Sequence, residues 1–138
     1  MVVVSGCSGG GKSTLLAEMA ARGYGVFPEP GRQVVKEEAL IGGGALPLRD
    51  PTAFAARCIA RAMYFFNVAD PGERAVFFDR GIIDAVTALQ RMGAVPAPFL
   101  EAARRYPDGR RVFLVPPWPE LFAGDAERRH GLAAAVGE

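Results

Sequence analysis

The chain alternates between short apolar runs and longer segments of helix-forming residues, with glycine or proline at most of the junctions. Four apolar runs have the length and the β-branched or aromatic character of strands that are buried on both faces. They lie at residues 2–4, 24–27, 75–78 and 112–115. Helical patterns occupy the segments between them, at residues 13–21, 32–40, 51–69, 83–91 and 97–105. Strands that alternate with helices predict an α/β domain on a mainly parallel sheet.

Length and composition are those of one folded domain. The 138 residues, half of them hydrophobic and 22% charged, suffice for a single packed core over residues 1–138. A net charge of +1 gives no electrostatic footprint for nucleic acid. No apolar stretch approaches the roughly 18 residues that cross a bilayer, and two cysteines are too few for a disulfide scaffold. We therefore expect a reduced, cytoplasmic protein that binds neither nucleic acid nor membrane.

A glycine-rich segment stands between the first predicted strand and the first predicted helix. Residues 6–13 read GCSGGGKS and fit the pattern G-x-x-x-x-G-K-S/T at every fixed position. Glycines let consecutive backbone N–H groups face a bound phosphate, and the helix start adds partial positive charge. In such a loop Lys12 would reach the β- and γ-phosphates, and the Ser13 hydroxyl would help to hold Mg²⁺. The predicted nucleotide-binding residues are Gly6, Ser8, Gly9, Gly10, Gly11, Lys12, Ser13 and Thr14.

An aspartate, Asp79, follows the third apolar run. A carboxylate at this position can hold Mg²⁺, directly or through water, beside the phosphate loop; a strand-terminal turn or a helix cap is the alternative. The next residue is Arg80, where many ATP-hydrolysing motors have a glutamate that activates water, so steady hydrolysis is not the expected purpose. The single asparagine, Asn67, begins NVAD and not a guanine-reading N-K-x-D motif. ATP is the expected nucleotide, and GTP stays open.

A second group of charged residues follows the second predicted strand, in the sequence EPGR. Open parallel sheets bind ligands at the carboxyl ends of their strands. There Glu29 could accept a proton from a substrate hydroxyl that attacks the γ-phosphate, while Arg32 or Arg80 holds the acceptor. The alternative is that Glu29 caps the next helix and Arg32 is solvated on its first turn.

Two arginines near the C-terminus could act as a lid. Arg128 and Arg129 lie on a polar segment with a helical pattern and could close over the phosphates to neutralise charge that develops during transfer. A solvated helix face is the alternative.

The predicted long helix carries two further arginines, Arg57 and Arg61, one turn apart. They could face an anionic acceptor, but a solvated stripe is the preferred interpretation. An acceptor pocket is expected from residues 42–50 and this helix. Asp84 is expected to orient Arg80 or to cap a helix.

Five motifs occur in order along the chain: GCSGGGKST, PEPGR, FFDRG, VPPWPE and DAERRH. With them the chain resembles the predicted AAA-type ATPase domains that are similar to the ribosylnicotinamide kinase domain of the bacterial NAD regulator, and more distantly the deoxynucleoside kinases. The resemblance covers essentially the whole chain. It implies a three-layer P-loop NTPase fold with a mainly parallel sheet in the order 2-3-1-4.

The resemblance also implies roles for particular residues. In similar kinases a carboxylate that matches Glu29 contacts the phosphate-accepting hydroxyl. An acidic residue before arginine matches Asp79 and Arg80, and lid arginines match Arg128 and Arg129. Similar kinases continue after the lid into a fifth parallel strand and a closing helix. No strand pattern follows residue 115, so we expect a single P-loop domain that lacks this strand and helix.

These motifs favour an Mg·ATP-binding, kinase-like phosphotransferase that acts on a small, nucleoside-like acceptor. Two alternatives keep the phosphate loop: a nucleotide-dependent switch or binding module, and slow ATP hydrolysis without an acceptor. The predicted catalytic residues are Lys12, Glu29, Asp79, Arg80, Arg128 and Arg129. The predicted acceptor-binding residues are Glu29, Arg32 and Arg80. The predicted Mg²⁺ ligands are Ser13 and Asp79.

Overall fold

Every predicted strand and helix over residues 1–115 is present, with ends that shift by no more than two residues. The computed structural model describes residues 1–7, 9–70, 72, 75–93, 95–108 and 111–116. In chain order the elements are β1 Val2–Gly6, α1 Lys12–Ala21, β2 Gly25–Phe27, α2 Pro30–Ile41, α3 Pro51–Val68, β3 Val76–Asp79, α4 Ile82–Met92, α5 Ala97–Arg105 and β4 Arg111–Val115.

The four described strands form one parallel sheet in the order β2-β3-β1-β4. This confirms the predicted α/β class and the strand order. In the register, Val4 of β1 lies opposite Asp79 of β3 and Phe113 of β4. Because all strands run the same way, their carboxyl ends meet at one edge of the sheet, where open α/β sheets bind ligands.

Burial explains why β1 is a continuous β-branched run. Val4 has no exposed surface, and Val2 and Val3 are also buried, because β1 lies between two strands with helices over the sheet. An aromatic cluster fills the space between the sheet and α3. Within it the ring centroid of Phe27 lies 5.0 Å from that of Phe65 and 5.1 Å from that of Phe78.

A second apolar cluster holds α3, α4 and α5 together. It consists of buried side chains from these three helices: Ile59, Ala62, Ile82, Val86 and Ala102. Among the described helices, none combines the length and apolar character that a bilayer crossing requires.

Charged side chains join α2 to α3. Arg61 donates hydrogen bonds to Glu37 at 2.7 Å and to Gln33 at 2.6 Å, and Arg57 donates to Glu37 at 2.9 Å. The prediction of a solvated stripe at Arg57 and Arg61 is therefore wrong. These arginines bind the acidic face of α2, and the spacing within one helix could not show that a second helix packs beside it.

Glu38 stabilises the connection between α2 and α3. Its side chain is buried, pairs with Arg57 and accepts a hydrogen bond from the backbone N–H of Ala45 at 2.7 Å. Gly43 passes so close that a Cβ there would overlap the Glu38 carboxylate. A buried carboxylate needs such partners, because an unpaired charge in the interior is costly. The connection after α2 is therefore held against the buried Glu38 side chain.

Neighbouring valines on α2 test how the helix is anchored. Val34 is 1% exposed and Val35 is 39% exposed. Val34→Ala should lower the free energy of unfolding by about 2 kcal/mol, because it removes two buried methyl groups and leaves a cavity. Val35→Ala makes the same change in helix propensity and should alter it by less than about 0.5 kcal/mol. Urea denaturation measures both, and equal effects would contradict the described packing of α2.

Candidate functional site

The phosphate loop leaves β1 and enters α1 through a tight glycine turn. Gly11, the residue before α1, has φ +85°, a left-handed conformation that glycine adopts without strain. Gly6 passes so close to β4 that a Cβ there would overlap the carbonyl oxygen of Val115. The first turn of α1 contains no acidic residue. Its backbone N–H groups and its partial positive charge are therefore arranged to attract an anion.

The other predicted loop residues lie where the motif places them. Gly9 and Gly10 complete the turn, with the N–H of Gly10 donating to the carbonyl of Cys7 at 3.4 Å. Ser13 and Thr14 are exposed on the first turn of α1. Ser8 lies outside the described residues.

Lys12 points back into the loop from the first position of α1. It is 6% exposed, and its ammonium donates to the carbonyl oxygens of Gly6 at 2.9 Å and Cys7 at 2.6 Å. Burial, and next the charge of Arg80, lower the pKa of Lys12, while nearby carboxylates oppose the shift. A partly desolvated ammonium inside a loop of this shape suits a phosphate, which would supply further negative charge.

Asp79 lies at the carboxyl end of β3 and is 6% exposed. Its Oδ1 atom is buried and has no hydrogen-bond partner among the described residues. Burial, and next the negative charge of Glu29, raise the pKa of the Asp79 carboxyl to about 6. Asp79 does not cap α4, whose N-cap residue is Gly81. The alternative of a capping role is therefore wrong.

The oxygens beside the loop fit a divalent cation. The unsatisfied Asp79 Oδ1 atom is buried, and the side chains of Asp79 and Ser13 border the same groove. In the described part of the chain, no three or more His, Cys, Asp or Glu side chains cluster as a metal cage. Mg²⁺ needs no such cage, because it is usually held by one or two carboxylates together with water and substrate phosphates. Asp79 and Ser13 are thus the residues here that could hold it.

Glu29 directly follows β2 and turns its side chain towards two arginines. Its Oε2 atom accepts a hydrogen bond from Arg32 Nε at 3.0 Å, and its Oε1 atom lies 3.3 Å from Arg80 Nε. Although Glu29 occupies the N-cap position of α2, its side chain makes no capping hydrogen bond. The capping alternative is therefore wrong, and the three predicted acceptor-binding residues lie together.

Arg80 has an unusual backbone. Its φ of +66° makes it the one described residue other than glycine in the left-handed region, which is strained for a side chain of this size. Its N–H donates to the carbonyl of Val4 at 3.0 Å. The expectation that Asp84 caps a helix is confirmed, because it accepts from the N–H of Gly81, the N-cap residue of α4, at 2.7 Å. Its Oδ1 atom also lies 3.7 Å from Arg80 Nη1.

A groove of about 480 Å³ extends from the site. Its walls are α1 and α2, its floor is the end of β2, and Ser13, Glu29 and Asp79 border it. None of its described lining residues comes from residues 42–50 or from α3. The groove therefore does not match the acceptor pocket expected from those two segments. Arg57 and Arg61 of α3 are bound to Glu37 of α2 and do not line the groove.

Ser5 belongs to the site, although no sequence motif selects it. Its hydroxyl donates to Asp84, which lies 79 positions later in the chain. A serine before a glycine loop has no pattern of its own, and only the packing of α4 against the end of β1 reveals the contact. The predicted lid residues Arg128 and Arg129 lie outside the described residues.

The buried carboxylate of Asp79 should make the metal-free protein less stable. A carboxyl whose pKa is raised by folding costs stability when it ionises, so the cost is complete above about pH 6 and shrinks as the pH falls. Asp79→Asn should therefore raise the free energy of unfolding at pH 7.5 by about 1 to 3 kcal/mol, and by less at pH 5. Urea denaturation in a chelating buffer measures this. The exposed control Glu18→Gln should change little, and a less stable Asp79→Asn protein would contradict the interpretation.

Comparison with known proteins agrees with this geometry at the level of the family. The AAA domain profile matches residues 1–137, nearly the whole chain. A search of curated proteins with this chain found no match. The matched region contains the glycine loop, the buried lysine and the strand-end aspartate described above. The chain therefore belongs to the AAA domain family, as a P-loop nucleotide-binding domain.

Proposed function

We propose that the protein is a kinase-like phosphotransferase that binds Mg·ATP and transfers the γ-phosphate to a hydroxyl of a small, nucleoside-like acceptor. The observation that carries the proposal is the position of Glu29. It lies at the same sheet edge as Asp79 and the phosphate loop, and two arginines hold its carboxylate. A protein that only holds a nucleotide has no evident use for a carboxylate in this position.

In this proposal the phosphate loop binds the nucleotide. The backbone N–H groups at the start of α1 and the ammonium of Lys12 face the β- and γ-phosphates. Ser13 and Asp79 hold Mg²⁺, which when bound neutralises charge on the transferred phosphoryl group. The buried Asp79 Oδ1 atom supports that role, because it lacks any hydrogen-bond partner among the described residues.

Glu29 is the proposed general base. It accepts the proton of the acceptor hydroxyl, while the hydroxyl oxygen bonds to the γ-phosphorus and the bond from that phosphorus to the β–γ bridging oxygen breaks. ADP leaves with the bridging oxygen. Arg32 and Arg80 keep the carboxylate in one orientation and add positive charge near the transferred group.

Arg80 also favours transfer over hydrolysis. It occupies the position after Asp79 where a water-activating glutamate stands in many ATP-hydrolysing motors. The resemblance to the ribosylnicotinamide kinase domain of the bacterial NAD regulator supports the same choice. We also assign Arg128 and Arg129 to a lid that closes over the phosphates and supplies positive charge there.

The proposal is tested by a screen for acceptors. Nucleosides and related alcohols are incubated with the protein and Mg·ATP, and ADP release is measured with and without each compound. ADP release that depends on an acceptor, together with a phosphorylated product, supports the kinase. Tight nucleotide retention without an acceptor would favour the switch, and ADP release that no compound accelerates would favour slow hydrolysis.

Glu29→Gln separates the chemical role of Glu29 from binding. The variant keeps the size of the side chain and one of the two oxygens that contact arginines, but it cannot accept a proton. We expect the affinity for ATP to stay within about twofold and kcat for transfer to fall by about 10² to 10⁴. The control Glu18→Gln removes an exposed carboxylate on α1 and should leave kcat unchanged. A Glu29→Gln protein with the wild-type kcat would contradict the general-base role.

A further inference from the structure

We propose that Ser5 and Asp84 are positioning residues that hold Arg80 against Glu29 and link it to the strand that leads into the phosphate loop. This inference rests on the proposed function, because Glu29 is the group that Arg80 serves. It adds a second layer of residues behind the reacting groups.

The backbone of Arg80 is strained. A left-handed conformation is unfavourable for arginine, so the surrounding structure must hold it in place. One restraint is the hydrogen bond from the N–H of Arg80 to the carbonyl of Val4. The turn directs the guanidinium back over the sheet edge, where its Nε atom lies 3.3 Å from Glu29 Oε1. With ordinary φ at this position, the side chain would leave the strand end in another direction.

Asp84 is itself fixed from two sides. Its Oδ2 atom accepts from the N–H of Gly81 at 2.7 Å, and its Oδ1 atom accepts from the hydroxyl of Ser5. The Asp84 side chain is 12% exposed and that of Arg80 is 23% exposed, so solvent screens their attraction only in part. At 3.7 Å from Arg80 Nη1, this carboxylate holds the far end of the guanidinium.

These contacts form a continuous path from Ser5 through Asp84 and Arg80 to Glu29. Ser5 is followed directly by Gly6, the first residue of the phosphate loop. The path therefore connects the position of the loop with the position of the proposed base. A side chain displaced by about 1 Å can cost a reaction as much as 10²-fold, which gives such a path functional weight.

Side-chain NMR tests the positioning without any acceptor. The Arg80 Nε–Hε signal is assigned as the one missing from Arg80→Gln, and its hydrogen exchange with water is measured. Asp84→Asn keeps the size of the side chain but loses the charge; its carbonyl oxygen can accept from the N–H of Gly81, and its amide can donate to the Ser5 hydroxyl. We expect it to speed Arg80 exchange at least about fivefold, and Ser5→Ala to speed it less. The control Glu101→Gln, which removes a carboxylate beside Arg105, should leave the Arg80 signal unchanged.

Transfer kinetics then test the functional consequence. With an acceptor in hand, Asp84→Asn should lower kcat about tenfold and change the acceptor KM by less than about twofold. In the Arg80→Gln background, Asp84→Asn should have almost no further effect on kcat, because Asp84 acts through the Arg80 guanidinium, which that background lacks. Equal losses in both backgrounds, or Arg80 exchange that Asp84→Asn leaves unchanged, would overturn the inference. If no acceptor is found, the proposed function fails and the exchange measurement alone decides the positioning role.

Discussion

The parallel register of β1 and β3 places Val4 opposite Asp79, and the rest of the site depends on this pairing. It brings the residue that ends β3 beside the glycine loop that follows β1. The parallel pairing of β2 with β3 then adds Glu29 at the same edge. Val2, Val3 and Val4 are all buried, so β1 is apolar on both faces and its hydrophobic pattern alone does not set this register. The hydrogen bond from the N–H of Arg80 to the carbonyl of Val4 continues the pairing one residue beyond β3, where the polar residues of the site begin.

The strand ends concentrate charges that the domain must balance. Two carboxylates, Glu29 and Asp79, lie near the cations Lys12, Arg32 and Arg80. Glu29 is paired with arginines, whereas Asp79 keeps a buried oxygen that no described group satisfies. The raised pKa of Asp79 and the lowered pKa of Lys12 both have burial as their largest cause. Such uncompensated burial is typical of a binding site and is costly in a purely structural core.

Local features of this protein could be predicted from the sequence. The runs of β-branched and aromatic residues identify the strands because burial on both faces requires them. The glycine loop was identifiable for a similar reason: Gly6 and Gly11 need conformations or approaches that other residues tolerate poorly. The positions of Asp79 and Glu29 directly after apolar runs identify them as candidate site residues.

Contacts between distant segments could not be predicted in the same way. Arg57 and Arg61 showed a helical spacing, but nothing in that spacing identified α2 as the neighbour that supplies Glu37. Ser5 meets Asp84 across 79 positions, and neither residue carries a pattern that selects the other. The groove between α1 and α2 likewise depends on how two helices sit over the edge of the sheet.

Calorimetric titration with ATP, ADP and AMP in the presence of Mg²⁺ tests the central claim that the strand-end loop binds nucleotide through its β- and γ-phosphates. ATP and ADP should bind at least about 100-fold more tightly than AMP, because AMP lacks the phosphates that Lys12 is proposed to contact. Lys12→Ala should weaken ATP binding by about 10- to 100-fold, since a charged hydrogen-bond partner is lost. AMP binding as tight as that of ATP, or an unchanged ATP affinity in Lys12→Ala, would contradict the account.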